Sequence, residues 1–73
     1  MRFNSVLAKQ YRKNGYIFVA QDINSGYYDL FIQHTNGKAT WFDTFSSKSA
    51  AIKEAKVTAM TEKLGFNLDT DVI

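Results

Sequence analysis

Few side chains in this sequence could carry out covalent chemistry. The chain of 73 residues has no cysteine and a single histidine, His34, so any nucleophile and its base would have to be built around that residue. Two carboxylates, Asp29 and Asp43, belong to neighbouring predicted strands. The predicted strand pairing turns them to opposite faces of the sheet, where they cannot act as a pair. His34 is better explained as a structural histidine, and we expect a protein that is not an enzyme.

Metal and phosphate sites are not indicated either. The segments DINSG (22–26) and DTD (69–71) lack the glycine position and the terminal glutamate of a calcium-binding loop. The four glycines are isolated turn residues and do not form a phosphate-binding loop. We therefore expect no metal ion and no cofactor.

The chain is richer in side chains that recognise other molecules. In KQYRKNGY (9–16), Arg12 and Lys13 are interleaved with tyrosines, which suits contact with phosphates and bases. A solvated helix end would explain the same cations, because basic side chains stabilise the negative pole of a helix. A second group on the predicted strands combines aromatic and polar residues: Tyr27, Phe31, Gln33, Lys38, Thr40 and Phe42.

Three β-rich runs must position this second group. They are YIFVAQ (16–21), YYDLFIQHT (27–35) and KATWFDTF (38–45), separated by turn residues. The dipeptide Asn36-Gly37 between the last two runs is the strongest short hairpin signal in the chain. The runs therefore predict a three-stranded antiparallel meander.

The hairpin turn fixes which side chains share a face of the sheet. With Asn36 and Gly37 as a two-residue turn, Phe31 opposes Phe42 and Ile32 opposes Trp41. Alternation then predicts a mostly apolar core face formed by Tyr28, Leu30, Ile32, His34, Ala39, Trp41, Asp43 and Phe45. The Phe31–Phe42 pair is predicted at the centre of the opposite, free face, among polar neighbours.

Helical patterns flank the strands. The spacing of Phe3, Val6, Leu7 and Tyr11 predicts a short amphipathic helix that ends near residues 14–15. A second helix is predicted from a serine cap at 46 or 47 to about residue 64, where Gly65 supplies a left-handed stop. Its predicted core stripe contains Ala51, Ile52, Ala55 and Ala59, with a second stripe of Val57, Met60 and Leu64. Thr58 is predicted to face solvent, and residues 66–73 to form a partly docked tail.

Length and composition indicate one small domain, residues 1–73, with an α+β fold. The predicted order is helix, three-stranded antiparallel sheet, helix, with both helices on one face of the sheet. Hydrophobic residues make up 45% of the chain, and a few buried rings could fill a core of this size. No apolar run approaches the ~20 residues that span a bilayer. We therefore expect a cytoplasmic protein with no membrane partner.

The junction GKATWFDTFSSKSAAIKEA (37–55) resembles the AP2-like fold shared by plant AP2 domains and the N-terminal arm-binding domains of tyrosine integrases. The residues that carry this resemblance are Trp41, Thr44, Phe45, Ser47, Ala51 and Ala55. The resemblance implies a sheet whose free face enters the major groove of DNA. Contact would then rest on Gln33, Thr40, Lys38 and peripheral cations. The order of elements is also similar to that of double-stranded-RNA-binding domains, with KEAK (53–56) as their lysine-rich segment.

Two functions follow as hypotheses. The first is a DNA-binding accessory protein that contacts duplex DNA through the free sheet face and the basic segment containing Arg12 and Lys13. The alternative, at nearly equal weight, is an inhibitor or adaptor that binds a partner protein through the same aromatic face, since the net charge is only +2. Self-association through that face or a free strand edge is a third possibility.

Overall fold

The computed structural model describes residues 2–66. Helix α1 (Ser5–Tyr11) continues into a 3-10 turn (Arg12–Asn14), and strands β1 (Tyr16–Gln21), β2 (Tyr28–Gln33) and β3 (Ala39–Phe45) precede helix α2 (Lys48–Glu62). The strands form an antiparallel sheet in the order β1-β2-β3. This confirms the predicted α+β class. No helix in residues 2–66 is long and apolar enough to cross a membrane.

The core lies between the helices and one face of the sheet, called the inner face here. Ile17, Val19 and Leu30 are its largest fully buried side chains. The facing stripe of α2 consists of alanines 51, 55 and 59, which are also fully buried. Small side chains let the helix axis approach the sheet closely, and the buried aliphatic groups fill the space between. The predicted alanine stripe of α2 is therefore confirmed.

Three helix positions differ from the prediction. Val6, assigned to the apolar stripe of α1, is 63% exposed, and Val57, assigned to the second stripe of α2, is also exposed. Thr58, expected in solvent, is buried. The spacing within α2 explains the last two, because Thr58 follows Ala55 by three residues and Ala51 by seven. It therefore lies on the alanine stripe, and Val57 is turned away from it.

The helix ends are capped as local chemistry requires, with one correction. Asn4 caps α1 by accepting from the N–H groups of residues 6 and 7, and Ser47 caps α2 by accepting from residue 50. The left-handed residue that ends α2 is Lys63, with φ 55° and ψ 53°, and not Gly65. Asn14 donates its side-chain N–H to the carbonyl of Lys63 at 3.0 Å, which satisfies an end carbonyl of the helix.

Two glycines allow the chain after α2 to lie against β1. The Gly65 N–H donates to the Gly15 carbonyl at 2.9 Å, and the Ile17 N–H donates to the Gly65 carbonyl at 2.8 Å. A Cβ on Gly65 would lie 2.9 Å from the Arg12 Cα, so the close approach explains this glycine. The next residue, Phe66, is buried, with its ring edge-on to Phe3 at 6.1 Å between centroids. The rest of the predicted tail, 67–73, lies outside the described residues.

The β2–β3 turn is longer than predicted. The His34 N–H donates to the Lys38 carbonyl at 2.8 Å and closes a loop of Thr35, Asn36 and Gly37. A two-residue Asn-Gly turn of type I′ requires positive φ at both positions. Here Gly37 has φ +90°, whereas Asn36 is not among the positive-φ residues of the described chain. Its side-chain oxygen instead accepts the Lys38 N–H at 3.0 Å, which stabilises the longer loop.

The longer loop changes the register of half the hairpin. Phe31 opposes Trp41 and Ile32 opposes Thr40, whereas Leu30 opposes Asp43 further along. Phe42 is the extra residue, at a β-bulge that restores the predicted register at the far end. The predicted Phe31–Phe42 pair is therefore wrong, as is the predicted burial of Trp41 on the core face.

Candidate functional site

The sheet surface turned away from the helices, called the outer face here, is formed by cross-strand rows. Directly opposed residues point to the same side of a sheet, so Phe18, Phe31 and Trp41 form its central row. Tyr16, Gln33 and Ala39 form the row towards the hairpin loop, and Ala20, Asp29 and Thr44 form the row on the other side. The centre of the outer face is therefore aromatic.

Phe18 and Phe31 stack against each other on the outer face. Their ring planes are 16° from parallel and their centroids are 5.3 Å apart, close to the ~4.8 Å spacing of neighbouring strands. Each ring therefore shields part of one face of the other. The Tyr16 ring tilts against Phe18 at 6.1 Å. The three rings form an apolar cluster on the outer face, called the apolar ridge here.

Trp41 is the most exposed ring of the central row, at 58%, yet its indole is held in place. The indole Nε1–H donates to Thr44 Oγ1 at 3.0 Å, and the Thr44 hydroxyl donates to Asp29 Oδ1 at 2.6 Å. The Thr44 backbone N–H in turn donates to Asp43 Oδ1 at 2.8 Å. This chain of hydrogen bonds orients a large apolar side chain at the surface and satisfies its polar atom.

We expect Thr44→Val to release the indole. The substitution removes the acceptor for Trp41 while keeping the β-branched shape of the side chain. Trp41 is the only tryptophan, so its time-resolved fluorescence anisotropy should show faster local motion. Thr40→Val is the matched control, because the Thr40 hydroxyl lies 2.8 Å from His34 Nε2 and its strand position points to the inner face. Equal indole mobility in both variants would contradict the conclusion that the hydrogen bond to Thr44 restrains the Trp41 side chain.

Further apolar side chains are exposed outside the central row. Tyr27, the residue before β2, and Phe42, in the bulge, are both exposed. Ile23 is 92% exposed in the turn itself, which Asp22 holds by accepting the N–H of residue 24 at 2.9 Å. The β1–β2 turn therefore carries an exposed aliphatic side chain at one end of the sheet.

Cations contribute to the outer face chiefly at the end with the β2–β3 loop. The Arg12 guanidinium lies over the Tyr16 ring, 4.2 Å from its centroid, which is cation–π geometry. Lys13 is exposed in the same 3-10 turn. Lys38 shares the alternation of Thr40 and therefore does not belong to the outer-face rows. The acidic Asp29 lies within the outer face itself, so the outer face carries charges of both signs.

The structure thus brings together only part of the predicted site. Phe31 and Gln33 lie on the outer face as predicted, and Arg12 joins it through Tyr16. Thr40 is a correction, because it opposes Ile32 and turns with it to the inner face. The prediction missed the outer-face rings of Tyr16, Phe18 and Trp41. The alternation of YIFVAQ could have revealed the first two, since Ile17 and Val19 occupy the intervening core positions.

Within residues 2–66, no three His, Cys, Asp or Glu side chains lie close enough together to hold a metal ion. His34 is exposed and bonded to Thr40. Comparison with family models, curated proteins and solved structures gives no match, so the resemblance to AP2-like domains stays a prediction.

Proposed function

We propose that this chain is a non-enzymatic protein-binding domain that docks a partner on its outer face. The observation that carries the proposal is Trp41, an exposed indole whose N–H is already bonded to Thr44. Tryptophan is enriched among the few residues that dominate binding energy at protein interfaces. A side chain that is held before binding loses less conformational entropy when the partner arrives.

The surroundings of Trp41 also support a protein partner. The Phe18–Phe31 stack of the apolar ridge lies beside it, and Gln33 and Asp29 provide polar groups in the two adjacent rows. An apolar centre with a polar rim is the usual anatomy of a protein interface. A surface for duplex DNA would need several cations on the same face. The register separates Lys38 and Thr40 from Phe31, which weakens the DNA hypothesis.

Duplex DNA remains the second candidate, because Arg12 lies over Tyr16 at the edge of the outer face, with Lys13 beside it in the chain. It predicts a different response to salt. Binding that neutralises phosphates falls steeply as salt rises, whereas binding through an apolar ridge does not. A titration of fluorescently labelled duplex DNA with the protein at low and at high salt measures this salt dependence, and no binding at low salt would remove the DNA candidate.

The protein-binding proposal is tested by affinity capture from cells that encode the protein, with Trp41→Ala compared with Val6→Ala. Val6 is also an exposed apolar residue, but it lies on α1, on the helix side of the sheet. We expect one protein partner to be retained by the wild type and Val6→Ala and reduced about tenfold or more by Trp41→Ala. Nuclease treatment should not change that result.

Two outcomes would contradict the proposal. Equal capture by Trp41→Ala and Val6→Ala would exclude Trp41 as an anchor. Loss of all capture after nuclease treatment would favour nucleic acid. Light scattering of the purified chain, with and without Trp41→Ala, identifies the case in which the partner is a second copy of the same protein.

A further inference from the structure

A second surface lies on the helix side of the sheet, between the start of the chain and α2. It is a groove of about 480 Å³, called the helix groove here. Its lining residues are Arg2, Phe3, Ser49, Ile52, Lys53, Lys56 and Val57. The groove is independent of the outer face and of the function proposed for it.

The helix groove combines an apolar floor with a cationic rim. The apolar lining residues, called the floor here, are Phe3, Ile52 and Val57, and Val57 is exposed. The cationic lining residues, called the rim here, are Arg2, Lys53 and Lys56. No carboxylate from the described part of the chain lines the groove. The Lys56 ammonium lies 5.5 Å from the centroid of the Phe3 ring, so one cation of the rim contacts an aromatic residue of the floor.

We propose that the helix groove binds an acidic peptide segment of a partner protein that carries one large apolar side chain. The apolar side chain would cover the floor between Phe3 and Val57, and the flanking carboxylates would face Arg2, Lys53 and Lys56. Charges of opposite sign at a rim fix the orientation of a bound segment and speed its association. Burial of the aliphatic and aromatic floor residues would stabilise the complex in proportion to the apolar area removed from water.

Two other kinds of occupant fit the groove less well. A small polar ligand needs several buried polar groups that orient it, and Ser49 is the only uncharged polar residue among the described residues that line the groove. An anionic bilayer needs a wide cationic face. Helix α2 also carries Glu54 and Glu62, which reduce the net positive charge of the helix.

The test is a binding titration with a fluorescein-labelled peptide of nine residues, in which aspartates and glutamates flank one central phenylalanine. We expect Lys53→Glu to weaken binding about fivefold or more, since it turns an attraction into a repulsion. Lys38→Glu is the matched control, because it makes the same charge change at the exposed β2–β3 loop. Replacing the central phenylalanine of the peptide with serine should weaken binding about tenfold.

The location of the bound peptide is read from amide and methyl NMR shifts of the full chain. Binding at the groove should shift the signals of Phe3, Ile52 and Val57 and leave those of Trp41 unchanged. Equal weakening by Lys53→Glu and Lys38→Glu would show general charge attraction and overturn the proposal. So would binding of phosphatidylcholine–phosphatidylserine vesicles without binding of the peptide. Stronger peptide binding after removal of residues 67–73 would overturn it too, because the chain itself would then compete for the groove.

Discussion

Replacing Gly15 with alanine is expected to lower the free energy of unfolding by about 3 kcal/mol or more. Gly15 has φ +103° and ψ 174°, a region that only glycine adopts without strain. A Cβ at this position would lie 2.6 Å from the backbone oxygen of Gln33 on β2, and neither backbone can move freely. The carbonyl of Gly15 also accepts the Gly65 N–H, so the strain would reach the chain after α2.

Urea unfolding followed by circular dichroism measures this loss. Gly37→Ala is the matched control: Gly37 also has positive φ, +90°, but apart from its two chain neighbours no described residue has an atom within 4 Å of the place that a Cβ would occupy there. It should cost only the conformational penalty of about 1–2 kcal/mol. Similar decreases in the free energy of unfolding for both variants would contradict the predicted steric clash between a Cβ at position 15 and β2.

Replacing Leu30 with alanine is expected to cost about 2–5 kcal/mol, because Leu30 is fully buried and large. It lies on the central strand, opposite Val19 on one side and Asp43 on the other. Its removal would leave a cavity at the point where the sheet meets the alanine stripe of α2. A chain of 73 residues has a total stability of roughly 4–11 kcal/mol, so this variant would lose a large part of it.

Ile23→Ala is the control for that experiment. It also truncates an aliphatic side chain, but Ile23 is 92% exposed, so the free energy of unfolding should stay within about 0.5 kcal/mol of the wild type. A loss at Leu30 no larger than the loss at Ile23 would contradict the assignment of the core to the inner face. If Ile23→Ala has an effect, we expect it on partner binding and not on the free energy of unfolding.

The fold places two different surfaces on opposite sides of one thin domain. A single sheet packed by helices on its inner face leaves the outer face for the aromatic row of Phe18, Phe31 and Trp41. The helix groove lies on the helix side, with Lys53 and Lys56 at its rim. If both proposals hold, the chain could join two partners, and Trp41→Ala and Lys53→Glu would each remove one interaction without affecting the other.

Local sequence patterns predicted most of the elements correctly. The alternation of YIFVAQ, the serine cap before α2 and the alanine spacing within it correspond to β1, Ser47 and the buried stripe. These features depend on neighbouring residues along the chain, so the sequence contains their causes. The end of α2 was less predictable. Gly65 has the usual character of a helix stop, but Lys63 takes the left-handed conformation while Gly65 is held close to Arg12.

The order of residues along the chain was enough to specify a small α+β domain with an aromatic sheet and an alanine stripe on its second helix. Which rings reach the surface was set by how the folded strands pair. The loop at Asn36 and Gly37 and the bulge at Phe42 turn Trp41 outward and Thr40 inward. Side chains alternate along a strand, so one extra residue in a turn exchanges the two faces. The length of the β2–β3 loop, and with it the strand register, depends on the packing of the whole sheet and not on the residues of the turn alone.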